Sequence, residues 1–154
     1  MAGVSLLTRY LRRSFGLPAP HARRVRVARG VRVPMPDGTV LRHDHHRPDA
    51  TGGVSGPVVL VRTPYGRGAP LGLVYGGLVA ERGWQVVVQA VRGTGGSEGE
   101  LAPFDEHDDG VATVRWLVAQ PWCDGRVATL GASYLGLTQW ALAPDSTDAS
   151  SPWG

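Results

Sequence analysis

The 154 residues match one ordinary domain, and a chain of this length can remove about 70% of its unfolded surface from water. With 22 glycines and 12 prolines the composition stays below the range of low-complexity or disordered chains. The net charge of +3 is unevenly spread: Arg9, Arg12, Arg13, Arg23, Arg24, Arg26, Arg29 and Arg32 all precede the first acid, Asp37. The body of the chain lacks the basic stripe interleaved with stacking aromatics that a nucleic-acid partner requires, and no apolar run approaches the roughly 18 residues of a membrane span.

Residues 1–24 place Val4, Leu7, Leu11 and Phe15 at three- and four-residue spacing between arginines, which predicts a short basic amphipathic helix ahead of the breaker LPAP. Its apolar stretch is too short for a secretory signal core; docking on the protein's own surface is expected, with disorder and membrane-surface contact as the alternatives, and the single cysteine fits a reducing, cytoplasmic location. From Arg24 the period changes to two. VRVARGVRV, the turn PMPDG and TVLRHDHHRP read as a hairpin. HDHH, residues 43 to 46, has the residue types of a metal site but alternates as a strand does, and with a single cysteine no zinc spacing emerges. No metal or cofactor is therefore expected.

PVVLVRTPY and WQVVVQAV are β-branched runs of the kind buried on both faces of a sheet, and GLVYGGLVAERG between them predicts a helix ending at Gly83. RGTGGSEGE follows as a glycine loop. Gly93, Gly95 and Gly96 do not complete G-x-G-x-x-G, and Pro103 separates them from the next helix, which argues against a dinucleotide site. That helix is expected to open at Asp105, with Glu106, Asp108 and Asp109 in a first turn where the helix dipole favours carboxylates. Pro121 ends it, Asp124-Gly125 turns the chain, and RVATLG forms the last strand. Cys123 in PWCDG reads as an inert, half-buried thiol, and Trp116, Trp122 and Trp140 as core. The organisation expected is an extension over 1–24, an α/β body over 25–143 with helices on both faces of a mainly parallel sheet, and an irregular tail over 144–154.

RVATLGASYLGLTQW, Arg126 to Trp140, sets one serine between a strand and a helix with small residues around it. A nucleophilic serine must be exposed, given a base, and flanked by oxyanion donors; a sharp strand-to-helix turn supplies the first and aims backbone N–H groups at the site. Gly131, Ala132 and Gly136 provide the close approach, and the N–H of Tyr134 is the natural donor. The general elbow is G-x-S-x-G, whereas Leu135 stands in the second place after Ser133, so a serine that merely caps a helix is the alternative on the bare motif.

VRVPMPDGTVLRHDHHRP, RTPYGR, VVVQAVRGTGGSEGELAPFDEHDDG and VRWLVAQPWCDGRVATLGASYLGLTQW, in that order, resemble the amino-terminal half of the Xaa-Pro dipeptidyl-peptidase and cocaine-esterase-like (CocE/NonD) family of serine hydrolases, over roughly residues 27 to 142. The resemblance implies an incomplete α/β-hydrolase fold, ester or amide hydrolysis through an acyl-enzyme, a G-x-S-Y-x-G nucleophile at Ser133, and an oxyanion pair made of the Tyr134 N–H and the Tyr65 hydroxyl. Where the family usually has an acid, Ala90 stands here. The family's triad acid and histidine follow the serine, but His21, His43, His45, His46 and His107 all precede Ser133, and His107 sits at a helix start that disfavours positive charge. Asp145 and Asp148 stand too close behind the serine to serve as triad acids. A truncated chain is thus expected, with the nucleophile but no complete triad, weakly active or inactive on a small ester, amide or peptide, and prone to self-association through an uncovered sheet edge. A non-catalytic fragment acting as a binding or interaction module is the other reading.

Overall fold

The computed structural model describes residues 2–3, 6–22, 24–49 and 55–143. The tail with Asp145 and Asp148, and Val4 in the amino-terminal stretch, lie outside them. A short strand β1, Ala2–Gly3, and helix α1, Leu6–Ser14, lead into the hairpin β2, Arg24–Pro34, and β3, Val40–Pro48. There follow β4, Gly56–Thr63; a π-helical segment, Gly72–Gly77, running into α2, Leu78–Ala80; β5, Gln85–Ala90; α3, His107–Val118; β6, Cys123–Thr129; and α4, Tyr134–Leu142.

The sheet order is β1-β2-β3-β5-β4-β6. The strands that alternate with helices, β5, β4 and β6, run parallel, and the hairpin joins them antiparallel through β3 against β5. The sheet is therefore mixed. β4 and β5 carry the continuous apolar runs because both their faces are covered. On one face Val58, Leu60 and Val87 pack with Val111, Val114 and Leu117 of α3, Cys123, and Leu142 of α4. The other face sets Val59, Val61, Val86 and Val88 against Ala80 and Leu135. Each such side chain, fully buried, contributes about 1.5–3 kcal/mol.

Several expectations need adjustment. The segment ending at Gly83 is not a regular α-helix. A Cβ at Gly76 would lie 2.6 Å from the His46 ring, and one at Gly72 would lie 2.4 Å from the Arg67 carbonyl oxygen. Close packing on β3 through two poor helix formers shapes this segment, and a wider π turn results. α1 is present, but Phe15 at its end is 71% exposed, whereas Thr8 is buried against Gly77. Trp116 and Trp122 pack on the core as expected, but Trp140 is 78% exposed.

β3 is covered on both sides, so all of His43, Asp44, His45 and His46 are buried despite the alternating pattern. His43 meets Trp116 edge-on at 5.3 Å, and His45 stacks near Trp122 at 4.0 Å while its Nε2 lies 2.8 Å from Gln85 Oε1. Asp44 accepts the Gly30 N–H at a bulge in β2 and pairs with Arg29 and Arg67. Among the described residues no group of His, Cys, Asp or Glu is arranged to hold a metal. The glycine loop closes on itself: Gly93 N–H donates to the Glu98 carbonyl, and the Ser97 hydroxyl to that of Ala90. Arg42 and Arg67 pin the carbonyls of Gly96 and Gly95. No helix among the described residues is long and apolar enough to cross a membrane.

Candidate active site

β4 and β6 pair in parallel, Leu60 opposite Thr129, and end at the same edge of the sheet. Beyond β6 the Leu130 N–H donates to the Leu60 carbonyl, and the chain then reverses into α4 within four residues. Ser133 occupies φ 59°, ψ −129°, a conformation that L-residues other than glycine avoid and that costs about 1–3 kcal/mol. Its carbonyl accepts the N–H groups of Gly136 and Leu137, at 2.8 and 3.0 Å, so the helix begins directly behind it. The Ser133 side chain makes no capping hydrogen bond and is exposed. A helix-capping serine would instead accept an N–H of the first turn through its hydroxyl.

The turn is held from both sides. Gln139 of α4 donates to the Gly131 carbonyl at 2.7 Å and accepts from the Thr129 hydroxyl at 3.2 Å, tying the helix back to the strand. Gly131 has φ 143°, and a Cβ there would lie 2.3 Å from the Leu135 Cβ. Both clashing atoms are fixed to backbone, so neither can swing away. Gly131→Ala should lower stability by about 2–3 kcal/mol, read from urea unfolding, because overpacking and a positive φ act together.

Tyr65 sits just past β4, its N–H on the Thr63 hydroxyl at 3.0 Å and its side chain 65% exposed. Its ring meets that of Tyr134 edge-to-face, centroids 6.5 Å apart at 74°. The three residues singled out from the sequence, Ser133, Tyr134 and Tyr65, thus gather at one sheet edge. The histidines do not join them. His43, His45 and His46 lie in β3, and His107 Nδ1 is 2.7 Å from the Ala141 carbonyl at the far end of α4.

Beneath the turn lies a buried polar network that reading the sequence missed. Arg62, next to last in β4, is 1% exposed and its Nη2 lies 2.9 Å from Glu106 Oε2, itself 3% exposed. Arg62 also donates to the Glu106 carbonyl at 2.8 Å and to Gln89 Oε1 at 3.0 Å; Gln89 in turn donates to the Thr113 hydroxyl. The Tyr134 hydroxyl donates to Glu106 Oε1 at 2.6 Å. Burial, and then that bond to Glu106, pushes the phenol up to about 12, so it stays protonated and a donor. Gly110 makes room for this arrangement, since a Cβ there would lie 2.9 Å from Arg62 Nη1 and 2.7 Å from Leu142 Cδ2. The signal in the sequence was the lone arginine inside a β-branched run.

Two carboxylates assigned to the helix dipole have other work. α3 begins at His107, not Asp105, and Glu106 turns inward to Arg62 without capping it. Asp109 accepts from Nη2 and Nε along one edge of the Arg92 guanidinium, at 2.6 and 3.0 Å, and Arg92 Nη1 donates to Asp37 at 2.7 Å. That bond, with the Thr39 N–H, holds the Asp37 carboxyl at about 2. These residues border a cleft of about 920 Å³ between the hairpin turn and α3, which Ser133 does not line. Cys123 is buried, and burial pushes its thiol up, away from reactivity.

The profile of the X-Pro dipeptidyl-peptidase (S15) family matches residues 37–151, about three quarters of the chain. The chain belongs to that family. Cocaine esterase of Rhodococcus sp. (strain MB1 Bresler) is 43% identical over 126 residues, covering 76% of this chain and 21% of that protein. Among solved structures, a CocE/NonD family hydrolase of Staphylococcus aureus superimposes with a TM-score of 0.67 at 27% identity, over 76% of this chain and 24% of the other. An α-amino acid ester hydrolase does so with a TM-score of 0.65 at 27% identity, over 82% and 24%. The fold of this S15-family chain is accordingly that of an α/β-hydrolase, and the family is one of hydrolases. The chain spans about a fifth to a quarter of the length of these relatives.

Proposed function

We propose that this S15-family chain carries the nucleophile and the oxyanion site of a serine hydrolase acting on an ester or amide, with Ser133 as nucleophile. The observation that carries this reading is the strained, exposed backbone of Ser133 at φ 59°, ψ −129°, between β6 and α4. In the reaction the Ser133 Oγ bonds to the acyl carbon, the carbonyl oxygen becomes an oxyanion, and collapse breaks the bond to the leaving group. The serine proton passes to that group. The Tyr134 N–H and the Tyr65 hydroxyl stabilise the oxyanion, a contribution of about 3–4 kcal/mol per donor in comparable sites. No histidine follows Ser133 in the sequence, so the expected rate of the chain by itself is low.

A fluorophosphonate probe should label the purified chain slowly, at Ser133 by peptide mapping, and Ser133→Ala should remove the label. Labelling that survives in that variant would overturn Ser133 as the nucleophile. Ser133→Gly should abolish labelling and yet raise stability by about 1 kcal/mol, since glycine relieves the positive φ. An unchanged or lowered urea midpoint would show that Ser133 is not strained.

We also propose self-association through β6, which is an outer strand of the sheet among the described residues and exposes Asp124, Gly125, Arg126 and Ala128. The mass from light scattering should rise with protein concentration. A constant monomer mass would overturn this.

A further inference from the structure

Glutamate is an unusual choice for the residue before a helix, where Ser, Thr, Asp and Asn satisfy the free N–H groups. Glu106 stands there before α3 and makes no such bond. Its carboxylate is buried instead between a cation from β4 and a phenol from the first residue of α4. Burying a charge pair this completely is weak evidence of stabilisation, because desolvation of both groups opposes their attraction. The arrangement does something more specific: it joins the start of α3, the carboxyl end of β4 and the start of α4 at one point. Arg62 Nη2 pairs with the carboxylate at 2.9 Å and Nη1 donates to the Glu106 carbonyl, so the cation holds Glu106 by both side chain and backbone while Oε1 accepts from the phenol.

We propose that Glu106 is a positioning residue, which, anchored by Arg62, holds the Tyr134 phenol and thereby sets the backbone of Tyr134 and Ser133 at the start of α4. This rests on the reading of Ser133 as nucleophile and Tyr134 N–H as oxyanion donor. The phenol of Tyr134 does not face the reacting group; it points down into the protein. Its role is to keep the N–H of the same residue, and the strained Ser133 before it, in the geometry that attack on a carbonyl requires. The edge-to-face contact of Tyr65 on the Tyr134 ring extends the same control to the second donor.

Tyr134→Phe removes the hydroxyl alone and leaves Glu106 paired with Arg62, so the variant folds. In saturation labelling with a fluorophosphonate, the limiting rate constant should fall about tenfold while the half-saturating probe concentration changes less than twofold. Glu106→Gln, whose amide oxygen still accepts the phenol's hydrogen bond, should lower the limiting rate less, and the double variant should fall no further than Tyr134→Phe alone. A residue that served stability alone would lower Tm without moving the limiting rate at 25 °C. Amide hydrogen exchange reads the anchor independently of labelling: the N–H groups of Gly136 and Leu137, both bonded to the Ser133 carbonyl, should exchange about tenfold faster in Tyr134→Phe. Wild-type rates and wild-type exchange in that variant would overturn the proposal. Absence of label at Ser133 in the wild-type chain, with accelerated exchange in the variant, would instead retain the anchor and overturn the nucleophile.

Discussion

Replacing Arg62 with methionine should cost about 3–5 kcal/mol of folding stability and lower Tm by roughly 10 °C. Methionine fills much of the volume of the arginine stem, so the loss comes from charge, not from a cavity. Glu106 would keep its carboxylate, 3% exposed, with the Tyr134 hydroxyl but no cation. Gln89, whose Oε1 accepts from Arg62 Nε, retains its bonds with Thr113 and so limits the damage to the carboxylate. Arg62→Met combined with Glu106→Gln should recover more than half of the loss, since an uncharged amide can still accept the phenol's hydrogen bond. Urea unfolding of the three proteins checks both statements. A single variant as stable as the wild type would mean that water reaches Glu106 in the folded state.

Acid should unfold the protein well above the pH at which carboxylates protonate. Burial, with the nearby His45 charge adding to it and Asp44 opposing, drives His43 down to about 3. Burial likewise lowers His46 to about 4, and lowers His45 against the raising effect of its bond to Gln85. All three are neutral in the native state near neutrality, whereas in the unfolded chain each takes up a proton at about 6.5. The native fold therefore has its full stability above pH 6.5. Below that, the unfolded state binds more protons, and each neutral histidine removes about 1.4 kcal/mol per pH unit until its own folded value is reached. Between pH 6.5 and 4.5 the loss should be on the order of 4–5 kcal/mol for His43 and His46 together. His43→Phe keeps the edge contact with Trp116 and should remove about half of that 4–5 kcal/mol loss. Stability flat across this range would show that the histidines titrate as though exposed.

Both effects stem from polar groups placed where the sequence suggests apolar strands, and they mark the boundary between what could be read and what could not. The five long strands, their succession along the chain, and the placement of Ser133 between the last of them and a helix were legible because they depend on local pattern. β-branched runs, turn residues and the crowding of Gly131, Ala132 and Gly136 around one serine are properties of neighbours in the chain. Tyr65 was found only by resemblance, since nothing in RTPYGR by itself says which way a phenol turns. The π turn over Gly72–Gly77, the four buried polar residues of β3 and the exposed Trp140 were not legible, because each depends on what a distant element brings to it. Arg62 and Glu106 are 44 residues apart, and Glu106 and Tyr134 are 28. A carboxylate at a helix start has the same local sequence whether it faces solvent or is buried on an arginine. Only the crossing of β4, α3 and α4 decides which, because the energy of a charge is set by the dielectric and the partners around it, and those are assembled in three dimensions.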